Sequence, residues 1–441
     1  MIDGELYQTF TSVENLPGLN SRAVFQVNSA GVFREAGDIA PQPCPGGKVM
    51  YMPWGADNMM PYDILDLIER DETLTTCQTV NAETLYAAGL HYDASAADGR
   101  VRDEVGAFAL DNNLISLTMG MCSDMKYFGF AIAVLILSRD GTKIVRIKRK
   151  EACYCRFTPA NTAGRIEQVI YANWRYQTAA MGYEVIELLD PAAPWSDLAE
   201  RMRRGLRTRK FALLCKIPTP DATYYPIPPY AALFRGKWYN IKQLIGIAKE
   251  AKLRNSAPIK YQIQVSAKYW ESIFRAEAIT DRRKQQERVV EEKRKIIDFL
   301  TGAENSGKAY FSTFYITPDG REQTEVKITK IETTKEGGDW QTDIQEAINM
   351  FCFAMRVHSN LVGSVPGKSQ SNNSGSDKRE LYTIAQAMQQ PYRDMLLTPH
   401  NIIVRYNGWK GVVPRWPMLQ LTTLDEHKDS TLIDTQRYET D

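Results

Sequence analysis

The chain holds 441 residues, 44% hydrophobic and 24% charged, a balance that fits a folded protein of roughly two or three structural units and excludes a globally disordered one. The formal net charge is +1, so no overall field points to nucleic acid or to a membrane surface, and an electrostatic partner has to meet a local patch. Seven scattered cysteines form no short disulfide framework, and no signal-type apolar run follows Met1, which together point to synthesis in a reducing cytoplasm.

Residues 1–55 are rich in turn formers, with a loop at Pro41 to Gly47, and read as an arm whose order depends on neighbours. Residues 61–88 carry helical periodicity, first through Ile64, Leu65, Leu67 and Ile68, then through Leu74, Cys77, Val80 and Leu85. The apolar run Phe128–Leu137 is far too short to span a bilayer and reads as a buried strand. Strands Phe130–Leu137 and Ile144–Lys148 flank an Arg139-Asp140-Gly141 turn, a hairpin signal, and Ile166–Tyr176 and Tyr183–Leu189 continue the β pattern. The segment 56–225 is therefore expected to be an α+β unit.

At Tyr224-Tyr225-Pro226-Ile227-Pro228-Pro229 the prolines close one element and pre-set the next. A long helix is predicted from Tyr230 to Asn255, with Phe234, Trp238, Ile241, Ile245 and Ala248 at spacings of four and three. Tyr261, Ile263 and Val265 then alternate with polar residues, as in a strand. A second long helix is predicted over Thr280–Leu300, apolar only at Val289, Val290 and from Ile296 onward. A helix this polar cannot bury a wide face within its own subunit, and such helices persist when they bridge units or pack in an assembly. The two rods with a short β segment between them read as a projecting stalk whose copies pack side by side.

Strands Ala309–Ile316 and Thr324–Ile331 are expected to pair around Pro318-Asp319-Gly320, followed by a helix Trp340–Val357 with Ile344, Ile348, Phe351 and Met355 on one face. A polar loop, Gly363–Gly375, precedes a helix beginning near Ser374 with Leu381, Ile384, Ala385 and Met388 as its stripe, which Pro391 should kink or end. The tail from Thr422 is acidic and is expected to be loosely held.

Several of these segments resemble the portal proteins of tailed phages, most closely those of Bacteroides-type phages and prophages. The resemblance runs from about Trp54 to Trp409. Gly55-Ala56-Asp57-Asn58-Met59-Met60-Pro61 is similar to the family's G-x-D-N-x-x-P segment. Tyr224 to Tyr230 with Gly236-Lys237-Trp238-Tyr239 resembles the lead-in to the first stem helix, and Asn255, Lys260-Tyr261-Gln262-Ile263 and Tyr269-Trp270 resemble its exit into the clip. Asn305-Ser306-Gly307-Lys308, Leu361-Val362-Gly363, Pro366-Gly367-Lys368, Ser374 to Glu380 and Tyr406-Asn407-Gly408-Trp409 complete the ordered set. The arm and the tail have no counterpart in it, and the short segment between the stem helices implies a small clip.

The resemblance implies an α+β portal-type fold. Its parts would be an N-terminal arm over 1–55, a wing over 56–225, stem helices over 226–256 and 280–301, a β-containing clip over 257–279, and wing return strands, channel loop and C-terminal helices over 302–421, before the tail 422–441. It also implies a homo-oligomeric ring, usually of twelve copies, at one capsid vertex of the virion, assembled in the host cytoplasm. Double-stranded DNA would pass through it; terminase, a head-tail adaptor and the major capsid protein would be its partners; no cofactor, metal or membrane is implied. On this reading Phe234, Trp238, Ile241 and Ile245 are intersubunit stem candidates, and Tyr261, Ile263, Tyr269 and Trp270 are clip candidates. Lys368, Asn372, Asn373 and Lys378 are candidates for a channel loop near DNA.

Gly363 to Ser369 superficially resembles a phosphate-binding loop, but it is one residue short and follows a helix instead of a strand. Cations crowd Arg235–Lys295, among them Lys242, Lys249, Lys252, Arg254, Arg282, Arg283, Lys284, Lys293, Arg294 and Lys295. A conduit that gripped many phosphates would stall its cargo, so intersubunit pairs are expected there more than tight DNA contacts. A second cluster, Arg201, Arg203, Arg204, Arg207, Arg209 and Lys210, reads equally as a DNA or capsid contact or as an exposed linker. Cys153 and Cys155 lack metal spacing, the four histidines stand isolated, and no catalytic motif is present, so no enzyme activity is expected. Two other readings remain open: another phage neck or head-completion protein, which should lack the paired rods, and an enzyme acting on nucleic acid.

Overall fold

The computed structural model describes residues 7–10, 23–26, 40–47, 49–176, 178, 182–220, 222–255, 261–301, 314–316, 322–324, 326–330, 340–362 and 375–419. The chain divides into a body, Met1–Ile245 with Gln341–Asp441, and a second unit, Gly246–Trp340.

The body is built on a six-stranded sheet in the order Ile144–Lys150, Phe130–Leu137, Lys210–Lys216, Glu184–Leu188, Gln168–Tyr171, Cys155–Phe157. All pairings are antiparallel except that of Glu184–Leu188 with Lys210–Lys216. The strand Phe130–Leu137 reads as an unbroken apolar run because it feeds two cores, one from each face. Phe130, Ile132 and Val134 enter one, packed with Ile64, Ile68 and Leu74 of the helices Met60–Glu69 and Glu72–Tyr86, with Phe234, and with Phe351 of the helix Trp340–Ala354. Ala131, Ala133, Leu135 and Leu137 enter the other, against the helices Gly99–Asp111, Leu114–Phe128, Pro194–Arg203 and Gln390–Asn407. Each fully buried Val, Leu or Ile contributes about 1.5–3 kcal/mol, so this strand stabilises both cores.

The expected hairpin is present. Gly141 has φ 72°, and the Asp140 carboxylate accepts from Thr142 Oγ1 at 2.7 Å. Residues 61–88 are helical as expected, in two helices, because Asp71 leaves the helical region and caps the second, accepting from Thr73 N and Leu74 N at 3.0 Å each. Other expectations need correction. The helix predicted over Tyr230–Asn255 is also two, Ala231–Arg235 and Trp238–Asn255, broken where Gly236 adopts an extended backbone. Cys77 and Cys352 touch across the first core, Sγ to Sγ 3.9 Å, and all seven cysteines are free thiols. The helix Gly375–Ala387 stops short of Pro391, which opens the helix Gln390–Asn407 from its first turn.

In the second unit, Tyr261–Val265 pairs antiparallel with Val326–Lys330, and Phe314–Ile316 with Glu322–Thr324. The pairing expected between 309–316 and 324–331 is thus present where Phe314 meets Thr324, while the rest of the second stretch, Val326–Lys330, takes the distant partner Tyr261–Val265. A helix, Ala267–Ala276, occupies much of the stretch expected to be a β clip; Tyr269, Trp270, Ile273 and Phe274 make one helical face there. The second long helix runs Arg282–Thr301. Among the described side chains of this unit only Ile296 and Val326 are buried. Lys368, Asn372 and Asn373, the side chain of Tyr261, and the tail from Thr422 lie outside the described residues.

Candidate functional site

Two of the segments that carry the portal resemblance meet in the body around one side chain that the sequence reading overlooked. Arg156, on the short strand Cys155–Phe157, has no exposed surface. Its guanidinium donates to Asn58 O at 2.8 Å, Cys153 O at 3.0 Å and Cys155 O at 2.9 Å, and also to Asn58 Oδ1. It lies 5.2 Å from the ring of Trp174 and 5.4 Å from that of Trp54. With no carboxylate among these partners, burial draws Arg156 below its ordinary pKa.

This arrangement explains the Gly55–Pro61 motif. Gly55 has φ 85°, and a Cβ there would sit 2.8 Å from the Cβ of Met60. Asn58, itself at φ 65°, accepts from Trp54 N at 3.1 Å, and Pro61 opens the following helix. Tyr225, from the lead-in to the first rod, stacks on Trp54 with centroids 4.6 Å apart and donates to Met52 O at 2.6 Å. A third resembling segment works at the far edge of the sheet. Asn407 brackets Ile144 through its N–H at 2.7 Å and its carbonyl at 3.0 Å, while Trp409 packs 5.3 Å from Phe108.

The helix Trp238–Asn255 is anchored to the body by an ion pair. Lys242 Nζ lies 2.7 Å from Asp71 Oδ1, 2.9 Å from Thr73 Oγ1 and 3.0 Å from Glu72 Oε1, above the ring of Phe351 at 5.1 Å. Gln243 adds a bond to Asp71 Oδ2 at 3.2 Å, and Tyr239 stacks on Phe351. Lys242 was counted among cations expected mostly to form intersubunit pairs; it is buried and paired within its own chain instead, because the N-cap carboxylate of a neighbouring helix compensates its charge. Phe234 is a second correction. It is fully buried in the chain's own core and has no surface to offer a neighbouring subunit. Trp238 and Ile245 are half-buried and Ile241 is 37% exposed, so these three keep surface on that helix.

Among the described side chains of the second unit, ion pairs stand out over apolar burial. Arg288 bonds Glu277 at 2.9 Å and Glu292 at 2.8 Å, and Lys295 bonds Glu291 at 3.1 Å. Tyr269 donates to Glu292 at 3.2 Å and lies against Trp270, with both rings half-buried, as is Ile263. Arg282, Lys284, Lys293 and Arg294 are exposed, and Val290 among them is 65% exposed. Lys378 is exposed on the helix Gly375–Ala387.

The cluster Arg201–Lys210 is no linker: it spans the end of the helix Pro194–Arg203 and the start of the strand Lys210–Lys216. Acids already hold much of it. Arg201 pairs with Asp197 at 2.9 Å and Glu187 at 2.7 Å, Arg204 with Glu200, and Lys210 with Glu184 at 2.9 Å. Among the described residues no group of three or more His, Cys, Asp or Glu is placed to hold a metal, and no helix is long and apolar enough to cross a membrane.

No protein-family model and no curated protein matches the sequence. Solved structures do match the fold. A chain in the neck of an empty gene transfer agent particle, computed with C6 symmetry, aligns over 80% of this chain and 83% of its own, with 12% identity and a TM-score of 0.52. A chain in the neck of the native particle, computed with C12 symmetry, aligns over 80% and 84%, with 13% identity and a TM-score of 0.50. This chain shares the fold of a gene transfer agent neck protein. A phage portal protein of the HK97 family from Corynebacterium diphtheriae aligns over 73% of this chain and 83% of its own, at 11% identity and a TM-score of 0.29.

Proposed function

We propose that this chain is a portal subunit, one of twelve copies that form a ring at a single capsid vertex and conduct double-stranded DNA during packaging and ejection. In this reading the body sits in the ring wall and the Gly246–Trp340 unit presents the surface to which terminase and then the head-tail adaptor dock, with the major capsid protein around it. The protein would be made in the host cytoplasm and end in the virion. Its role is mechanical and electrostatic, and the energy for packaging comes from terminase.

The observation that carries this reading is the second unit itself. Among its described side chains only Ile296 and Val326 are buried, and its long helix Arg282–Thr301 leaves Val290 exposed; a face of that kind would be buried by identical copies packed about an axis. The likeness to a neck chain and the ordered run of portal-like segments agree with it. Within the ring, Trp238, Ile241 and Ile245 would face a neighbouring copy, Ile263, Tyr269 and Trp270 would belong to the clip, and Lys368, Asn372, Asn373 and Lys378 would lie near the DNA.

Negative-stain imaging of the purified full chain over a range of salt concentrations tests this directly. Rings with a central channel and twelve-fold averages are expected; a monodisperse monomer under every condition would overturn the proposal.

A further inference from the structure

The body contains a small polar cavity that the reading above does not use. It has a volume of about 60 Å³ and is walled by the helices Glu72–Tyr86 and Leu114–Phe128, by Pro228 to Tyr230, and by the residues that follow the helices Trp340–Ala354 and Gly375–Ala387. Two buried amides line it. Gln78 is 1% exposed and Gln389 6%, and Gln78 Nε2 and Gln389 Oε1 have no hydrogen-bond partner among the described residues. A buried polar atom left unpaired is costly, and native structures rarely leave two beside one cavity without an occupant to satisfy them.

The charge around the cavity has one sign. Lys126 lines it with its ammonium 3.8 Å from the centroid of the Tyr392 ring, and the exposed Arg356 lines it too. No Asp or Glu among the described residues does so. Burial pulls Lys126 down to about 7, with the positive charges of Arg356 and Arg393 acting in the same direction and the Cys122 thiol against it. Lys126 sits in the last turn of its helix, whose C-terminal end supplies only about half a negative charge, and a ring face supplies less. Neither offsets a full cation.

Size narrows the occupant. A water takes up roughly 30 Å³ of liquid, so the cavity fits a pair of waters or one small polyatomic ion, whereas ligand pockets for drug-sized molecules run to roughly 300 Å³ or more.

We propose that this cavity binds a small oxyanion of the phosphate class. The Lys126 ammonium and the Gln78 amide donate to its oxygens, with Arg356 adding positive charge beside them. Gln389 Oε1 accepts from a hydroxyl, which hydrogen phosphate carries near neutral pH and sulfate does not. The bound ion would tie the Pro228–Tyr230 segment, just before the helix Ala231–Arg235, to Met355 and Arg356, just after the helix Trp340–Ala354.

The experiment uses the full purified chain at pH 7, with inorganic phosphate, sulfate and chloride compared at equal ionic strength. Thermal unfolding should shift upward by several degrees in phosphate relative to chloride, with a smaller shift in sulfate. Equilibrium dialysis with labelled phosphate should give one ion per subunit. Lys126→Met should weaken phosphate binding by about tenfold or more. In chloride it should melt at or above the parent temperature, because a half-buried cation with no acidic residue lining its cavity has been removed. Gln78→Leu should also weaken phosphate binding. Equal melting in phosphate and chloride together with no ion retained on dialysis would overturn the proposal, as would phosphate binding undiminished in both variants. Two waters alone in the cavity would produce that first result.

Discussion

In the body, a single strand, Phe130–Leu137, sends alternate side chains into two cores, and even a guanidinium, that of Arg156, is enclosed and satisfied. In the Gly246–Trp340 unit the described side chains bury only Ile296 and Val326, and the longest helix keeps Val290 65% exposed among arginines and lysines. The body has its own source of stability; what the described part of the second unit shows instead is ion pairs on and near the surface, a kind of contact that is worth little in water. A region of that kind opens readily on its own and becomes ordered on packing against partners. On the proposed reading, the difference separates what the chain needs in order to fold from what it would gain on assembly.

The sharpest way to break this comparison is to attack the anchor of the rooted helix within the body. Asp71→Ala leaves Lys242 enclosed without its main counter-charge and also removes a helix cap. It should lower the unfolding free energy by about 3–5 kcal/mol in urea titration. A loss below about 1 kcal/mol, the level of an exposed pair, would show that the anchor is solvated and the body less self-sufficient than described.

Acid provides the next largest effect. His400 is buried beside Tyr92, with Nδ1 2.8 Å from the phenol oxygen, and burial lowers its pKa from 6.5 to about 4. Its folded form is neutral, so its stabilising contribution is fully present above pH 6.5 and is lost as pH falls from 6.5 through 4. The loss amounts to about 3 kcal/mol, and His400→Gln should flatten the slope of unfolding free energy between those two pH values. The Gly246–Trp340 unit contains no histidine, so hydrogen exchange in that unit should not share this transition. Parallel loss of protection in both regions would mean that they fold as one cooperative block.

Val290→Asp reverses the test. As an exposed substitution it should change subunit stability by no more than about 0.5 kcal/mol, while the fraction of rings seen by mass photometry falls sharply. Rings formed as readily as in the parent would show that this helix face is not where the missing burial is completed. The smallest effect should come from Arg288→Gln, which breaks the bonds to Glu277 and Glu292 yet should leave the melting temperature of the subunit within measurement error at physiological salt. A clear drop would give those half-buried charges a larger share of the unit's stability than the comparison allows.

Much of the architecture was legible along the chain. The hairpin at Arg139-Asp140-Gly141 showed because its turn chemistry is local, and the charged second rod showed because helical periodicity and polarity need no tertiary context. The helices Leu114–Phe128 and Gln390–Asn407 were missed. Leu114–Phe128 packs between sheet and helix, which blurs an amphipathic stripe, and Gln390–Asn407 carries Pro399 in its interior, which reads as a stop. Of the candidate residues, Phe234 was misplaced because an apolar position looks the same in sequence whether it faces a partner or the chain's own core. Arg156 gave no signal at all, since nothing adjacent to it marks a cation destined for enclosure by carbonyls and rings.

What the sequence determined by itself is local: where backbone conformations must be special, as at Gly55, Asn58 and Gly141, and which stretches are too polar to be buried alone. Only the tertiary structure decided which side chains meet. Lys242 finds Asp71 and Asn407 closes on Ile144 across separations of more than a hundred residues. Pairing at such range depends on how the whole chain packs, and no short window of residues contains that information.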